Sequence, residues 1–466
     1  MRAQDVHRDK RGSHWKFLAN RSRWIRIIEL MILVVVESLA ALPSLTRSPV
    51  PIFDSVAYMA PVSLVGGRLP LAPLTFSLLG HNLTAIAVAQ TLLSVAAWSY
   101  LAIEALRITR RPYCYLAFGL VLLFSSSGYV TQWNTAILSD SISLSLLVFL
   151  LASIASHLDG RGSRWRIVLL AIAWAFTRDT NGFELFVVAS VLLVLLVFTR
   201  NRQLAPFAFA GVLFATGGVV IWLSSRGVMN TDPLNHVMFD RVLTNPAMTS
   251  FFHAHGMPEP SGILKLGQAH QPSQVSELFG DPHFASWQRW VTLRGKQTYI
   301  LWALSHPIWV LAGTFGSHPV RWGGRLTGYD ELNWSTLTFY GGAVQHQILW
   351  QPLRSVFVAG RQSTLVALGL LVATIMIVRR RFLSSVARQL RTWGAIAGLG
   401  VLFLMFVWVG DSWEIGRHLI GPTVQVAIAL ALMAAVALGA TGPRQSEQTQ
   451  IDPELNEVIE SGQEQY

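Results

Sequence analysis

The chain has 466 residues, 52% of them hydrophobic and 13% charged, with a mean hydropathy of +0.44 and a formal net charge of +11. Soluble domains carry roughly 25% charged residues, so this balance argues against a soluble globular core and for an integral membrane protein. Nucleic acid is not the expected partner of the positive charge, because the arginines punctuate apolar runs instead of forming a soluble basic domain. The single cysteine, Cys114, excludes an internal disulfide framework and argues against a Cys-based zinc site.

Taken in order, the basic segment 1–26 leads into an apolar run at 27–45. That run is long for a signal-peptide core and lacks a small-x-small cleavage site, so it reads as a retained first span. Further spans are expected at 83–106, 114–130, 138–156, 167–177, 183–199, 206–224, 362–378, 393–409 and 419–438, with 299–315 ambiguous. The fold class is therefore an all-α polytopic helix bundle of about ten spans, since each run approaches the ~20 residues needed to cross a bilayer. Arginine groups at 107/110/111, 161/164/166, 200/202 and 379–381 fall at every second connection, as does the basic N-terminus. The positive-inside rule then makes those connections and both termini cytoplasmic, in a plasma (inner) membrane, and turns the alternate connections outward. The fifth span is short, 11 residues before Arg178, and is expected to be tilted, broken or extended.

The expected organisation is a cytoplasmic segment 1–26, a transmembrane module 27–224 whose first outer loop is 46–82, an outer subdomain of mixed or helical structure at 225–361, closing spans at 362–440, and a disordered acidic cytoplasmic tail at 441–466. Within the subdomain, "SWQRWVTLRGKQTYILWALSHPIWVLAGTFG" mixes Trp with Arg and Lys before turning apolar, as an interfacial helix leading into a half-buried segment does.

The chemistry-bearing residues collect in the outward connections. Asp54, in "PIFDSVAYM", is either a general base held near the lipid surface or the N-cap of a helix starting at Ser55. In "WNTAILSDSISLSLL", Asp140 opens the fourth span among Ser139, Ser141, Ser143 and Ser145; the alternative to a functional role is a capped helix start with hydroxyls satisfied inside the helix. "AFTRDTNGFELF" adds Arg178 and Asp179, which either solvate a turn or supply an arginine that grips a phosphate bidentately. "GDSWEIGRHLIGP" joins Asp411, Glu414, Arg417 and His418 before the last span; on a helix Asp411, Glu414 and His418 share a face. Arg417 and His418 either hold an anionic head group or belong to an interfacial ion network. Glu37, deep in the first span, faces a cavity or a partner. Eight histidines lie between His236 and His346, including His253 and His255, without a recognisable ligand spacing. The triplets at Asn82 and Asn333 fit glycosylation acceptors, though Asn82 is too near the membrane.

Together these stretches resemble the polytopic GT-C superfamily of glycosyltransferases that use polyprenyl-phosphate sugars. "IFDSVAYMAPVSLVGGRLPLAPLTFSLLGHNLTAIAVAQTLL" is similar to a first outer loop with an acidic residue, a tyrosine four residues later (Tyr58), Gly-Gly-Arg and a proline-containing stretch before a span rich in Ala, Leu and Gln. "LSDSISLSLLVFLLA" resembles the acidic opening of the fourth span, with Asp140 where Glu is more usual, "TRDTNGFELFVV" the polar turn after the fifth, and "GDSWEIGRHLIGP" the Arg-His pair of a late span. The likeness covers roughly the first 200 residues and that late motif; 225–361 matches no known pattern. It implies that Asp54 is the catalytic base, that Tyr58, Asp140, Arg178, Asp179, Asp411, Glu414, Arg417 and His418 bind substrate, and that in-line attack inverts the anomeric centre. Some relatives need a divalent metal; with no second acid clearly paired to Asp54, no cofactor or metal is expected. The expected partners are a polyprenyl-phosphate-linked sugar donor, a glycan, lipid or protein acceptor of the cell envelope, and the bilayer. The competing readings are a transporter or flippase of lipid-linked sugars, which would favour internal repeats that are not found, and a glycan polymerase.

Overall fold

The computed structural model describes residues 3–46, 48–49, 51, 55–60, 68–108, 112–198, 204–226, 232–265, 281–315, 369, 384–410 and 418–439, with side chains in the first helix from Arg23 onward. Among these residues the regular secondary structure is helical, without a strand. In hydrocarbon a backbone N–H or C=O has no water to bind, so a bundle of helices is the solution that this apolar sequence can adopt without strand pairing.

Helix α1 (Ala3–Thr46) joins the basic segment and the first apolar run into one continuous helix. It buries a single stripe, Leu33, Glu37, Ala40, Ala41 and Ser44, and leaves Ile28, Leu30, Val34, Val35 and Leu42 exposed, the pattern of a helix with one face on protein and one on lipid. Two short helices, α2 (Ser55–Met59) and α3 (Leu71–Leu78), precede α4 (Leu83–Ala105). Asn82 caps α4 by accepting from the Ala85 N–H at 3.0 Å, so its side chain serves the helix start, for which Asn is a favoured residue. Then come α5 (Tyr113–Ser125), the single turn α6 (Gly128–Thr131), α7 (Ser139–Leu158), α8 (Arg164–Ala175), α9 (Asp179–Phe198) and α10 (Leu204–Ser225). The bundle closes with α16 (Ser384–Gly410) and α17 (Ile420–Gly439).

Among the described residues, six helices, α4, α7, α9, α10, α16 and α17, are long and apolar enough to cross a membrane. Four of the ten expected spans are not among them: 27–45 lies within the 44-residue helix α1, two fall on short helices, and one lies outside the described residues. Helix α5 has 13 residues and α8 has 12, lengths of about 20 and 18 Å at ~1.5 Å per residue, against the ~30 Å of a hydrocarbon core. The expected span 362–378 lies outside the described residues, as does the tail 441–466.

Helix α17 is the axis of the bundle: 89% of its apolar window is buried, against 22% for α10 at the periphery. Its buried face is rich in small residues, Ala427, Ala429, Ala431, Ala434 and Ala435, which let α5, α7 and α16 approach closely where lipid offers no hydrophobic drive for association. The same device joins α9 to α10. A Cβ on Gly182 would lie 2.1 Å from Val220 Cγ1, and one on Gly217 would lie 2.7 Å from the backbone N of Phe186.

Residues 232–265 and 281–315 build a second, smaller apolar core. It comprises α11 (Asp232–Val237), a π-helical turn at Met238–Val242, α12 (Pro246–Ala254), α13 (Ala285–Trp290), a second π-helical turn at Val291–Gly295, α14 (Lys296–Ser305) and α15 (Pro307–Phe315). Phe239, Phe252, Trp287 and Met238 are fully buried there. The ambiguous stretch 299–315 is two helices of 10 and 9 residues broken at His306, because the proline at 307 denies the preceding residue its helical conformation. Arg241 fastens this core to the bundle. Its guanidinium donates to the Tyr299 hydroxyl at 3.0 Å and the Val409 carbonyl at 3.3 Å, and sits 4.4 Å from the Trp408 ring centroid.

Candidate functional site

One end of the bundle gathers the starts of α4, α7, α9 and α17, and there the polar residues converge. Helix α7 begins without a side-chain cap, since its N-cap position is Leu138 in extended conformation. The carbonyls just outside the helix are satisfied from elsewhere: Ser55 Oγ donates to the Ile137 carbonyl at 2.8 Å and Gln90 Nε2 to the Leu138 carbonyl at 2.8 Å. The Tyr58 hydroxyl meets Ser139 Oγ at 2.8 Å, its ring lying 5.0 Å from the Arg68 guanidinium and edge-on to Phe76. Helix α2 and helix α4 thus hold three consecutive residues, 137 to 139, and so fix where Asp140 stands.

Asp140 is 2% exposed and does not cap its helix. Its carboxylate accepts a hydrogen bond from Arg178 Nη1 in an ion pair whose side chains are 1% and 10% exposed. Asp179 turns away, exposed, and accepts from the Thr180 N–H at 2.9 Å. The adjacent charges of 178 and 179 therefore separate: one points into the bundle and the other opens α9, where a carboxylate favours the helix dipole. Three of the four serines reach beyond their own helix. Ser139 meets Tyr58, Ser141 donates to Asn134 Oδ1 at 2.9 Å, and Ser143 accepts from Asn181 Nδ2 at 2.7 Å; Ser145 alone bonds back, to the Ser141 carbonyl. The Asn181 amide also lies 2.8 Å from Thr177 Oγ1 and 3.0 Å from the Trp174 carbonyl, so one side chain ties the start of α9 to α7 and to the end of α8.

A cleft opens between α7, α9, α16 and α17. Asp140, Arg178, Thr180 and His418 line its charged side; Leu144, Phe403, Val407 and Ile420 line its apolar side. Glu184 lies in the lining one turn beyond Thr180, 6% exposed. Three helices of 20 residues each, α7, α9 and α17, begin at this cleft. Their N-terminal partial charges favour an anion, and one arginine and one histidine stand beside them. The cleft is amphiphilic: an anion-compatible mouth leads to an apolar wall.

Of the residues singled out in sequence, Tyr58, Asp140, Arg178 and His418 are brought to this end of the bundle, with Asp179 at its exposed edge. Asp54, Asp411, Glu414 and Arg417 lie outside the described residues. Asp54 immediately precedes α2, and Glu414 and Arg417 stand in the connection between α16 and α17. Gln90, Asn134, Asn181 and Glu184 were not anticipated. For Glu184 a signal existed, an ionisable side chain at the head of an apolar run. Glu37 is 4% exposed with its carboxyl facing Ser125 of α5, a protein-facing position apart from the cleft lining. His253 and His255 each place Nδ1 on a nearby carbonyl, Met257 at 2.9 Å and Phe251 at 2.8 Å, and among the described residues no three His, Cys, Asp or Glu side chains converge.

No protein-family model matches the chain, and no curated protein and no solved structure matches it either.

Proposed function

We propose that the protein is an integral membrane glycosyltransferase that moves a sugar from a polyprenyl-phosphate donor to a glycan, lipid or protein acceptor of the cell envelope, on the outer face of the plasma membrane and with inversion. The observation that carries this reading is the amphiphilic cleft, with the Asp140–Arg178 pair and His418 on its charged side. An apolar wall beside an arginine at three helix N-termini suits a lipid phosphate: the chain packs against protein and bilayer while the phosphate takes the cationic mouth. As the sugar leaves, charge grows on that phosphate, and fixed cations and dipoles stabilise it.

The reading gives Asp54 the role of base, removing the proton of the acceptor hydroxyl as it attacks the anomeric carbon opposite the departing phosphate. The hydrogen bonds of Ser55 and Tyr58 to residues 137 and 139 support it, since they tie the helix that follows Asp54 to the strand of chain that carries Asp140. Arg417 is assigned to the donor phosphate with Arg178 and His418.

The test is sugar transfer by the purified full-length protein in lipid, from a panel of radiolabelled polyprenyl-phosphate sugars to an envelope extract. The unmodified protein moves label to an acceptor, and Asp54→Asn, equally expressed and inserted, loses transfer by the roughly 10²- to 10⁴-fold that a general base contributes. An active Asp54→Asn variant removes the base. Movement of intact lipid-linked sugar across the bilayer without transfer replaces the enzyme with a flippase.

A further inference from the structure

Glu184 is a buried carboxyl in a helix that is apolar enough to cross a membrane, and it opens on the cleft. Ionisable groups at such depth mark a ligand or partner site. It does not serve the anionic end. Arg178 is already matched by Asp140, and six residues of helix place Glu184 about 9 Å further along the axis at ~1.5 Å per residue. The neighbour of Glu184 on α17 is Gln425, whose Nε2 donates to the Ile396 carbonyl at 3.0 Å, while its Oε1 is buried without a hydrogen-bond partner among the described residues. The Gln425 amide also donates towards the Glu184 carboxyl, so the unmatched group at this corner is the Gln425 Oε1 acceptor. Its chemical complement is a ligand rich in hydroxyl donors, because buried acceptors left unmatched are costly. Phe403, 3% exposed, lines the same cleft and adds an apolar surface to it, which suits the C–H face of a pyranose.

We infer that Glu184 is a sugar-binding residue: it accepts hydrogen bonds from the hydroxyls of the donor's sugar ring while the donor's phosphate lies at Arg178 and His418. This rests on the glycosyltransferase reading above. It makes the cleft a two-part recognition site, with the phosphate read at the start of α9 and the sugar one turn and a half deeper.

The experiment measures binding of two lipids, polyprenyl phosphate and polyprenyl-phosphate hexose, and of an alkyl glycoside, to the full-length protein in nanodiscs. Wild type, Glu184→Gln and Glu184→Ala are compared, each checked for monodispersity. The unmodified protein prefers the sugar-bearing lipid. Glu184→Ala loses roughly tenfold or more for that lipid, as expected when hydrogen bonds to hydroxyls are removed, Glu184→Gln loses less because it keeps one acceptor oxygen, and both keep their affinity for the bare lipid phosphate. Equal loss for both lipids makes Glu184 a structural support, and no loss takes it out of the site; either overturns the inference. Loss confined to the alkyl glycoside gives the carboxyl to the acceptor and also overturns it. A wild-type protein that binds neither lipid overturns the glycosyltransferase reading and this inference together, whereas a Glu184 failure with wild-type binding intact leaves the former standing.

Discussion

The Asp140–Arg178 pair sets the chemistry of the cleft at the scale of single residues. Two opposite charges this deeply buried stabilise little in net terms, because removing both from water costs nearly as much as their attraction returns. Removing one is different, since the survivor is left charged and unpaired, at about 3–5 kcal/mol. Asp140→Asn and Arg178→Gln are each expected to destabilise the protein markedly, and the double variant by less than the sum, with a coupling of roughly 0.5–3 kcal/mol. Chemical denaturation in detergent checks this as a double-mutant cycle; strictly additive losses would mean that the two side chains do not act as a pair. Arg178→Lys is no conservative control here, because a lysine lacks the planar fork that can bond a carboxylate and a phosphate at once.

At the scale of elements, close helix crossings decide the architecture. Gly217 of α10 packs on the Phe186 backbone, whereas its neighbour Gly218 meets nothing within 4 Å. Gly217→Val is expected to force α9 and α10 apart and cost about 1–3 kcal/mol, the usual price of overpacking. Gly218→Val, with the same change in helix propensity, leaves stability near wild type. The single cysteine supplies the readout: Cys114 is 1% exposed, so a thiol-reactive dye labels it as the bundle opens on heating. Equal behaviour of the two variants would contradict the crossing. Such crossings were not legible in the chain, where 217 and 218 are two glycines in one apolar run. The runs themselves were legible, because hydropathy alone marks α4, α7, α9, α10, α16 and α17. The shortness of α8 was legible too, 11 residues expected against 12 found, whereas the early end of α5 at Ser125 was not, since it is set by a short connection that periodicity does not encode. At the site, Asp140 and Arg178 each stood out as charges beside a span, but their pairing across 38 residues was not foreseen. Glu184 was read merely as part of a span, although the argument applied to Glu37 fitted it equally.

For the molecule as a whole, the two ends of the bundle differ in how they use arginine. At one end Glu104, 2% exposed, takes both ends of the Arg161 guanidinium, at 2.8 and 3.3 Å, and Arg107 at 3.4 Å. Arg161, Arg164, Arg166, Arg388 and Arg391 are exposed around it. At the other end two arginines turn inward, Arg178 pairing with Asp140 and Arg241 lying 7% exposed between Tyr299 and Trp408, while Arg226, Arg289 and Arg294 are exposed. Basic residues in short connections next to span ends resist translocation, so the end with Arg107, Arg161, Arg164 and Arg166 is expected in the cytoplasm and the cleft on the opposite side. In a Cys114→Ala background, Glu259→Cys, near the second core, is expected to react with a membrane-impermeant maleimide in intact cells. Ser163→Cys, in the exposed connection between α7 and α8, is expected to react only after permeabilisation. The reverse pattern would put the cleft in the cytoplasm, where a soluble nucleotide sugar is as accessible as a lipid-linked one, and would remove the main physical reason for a transferase of this build to depend on a polyprenyl carrier.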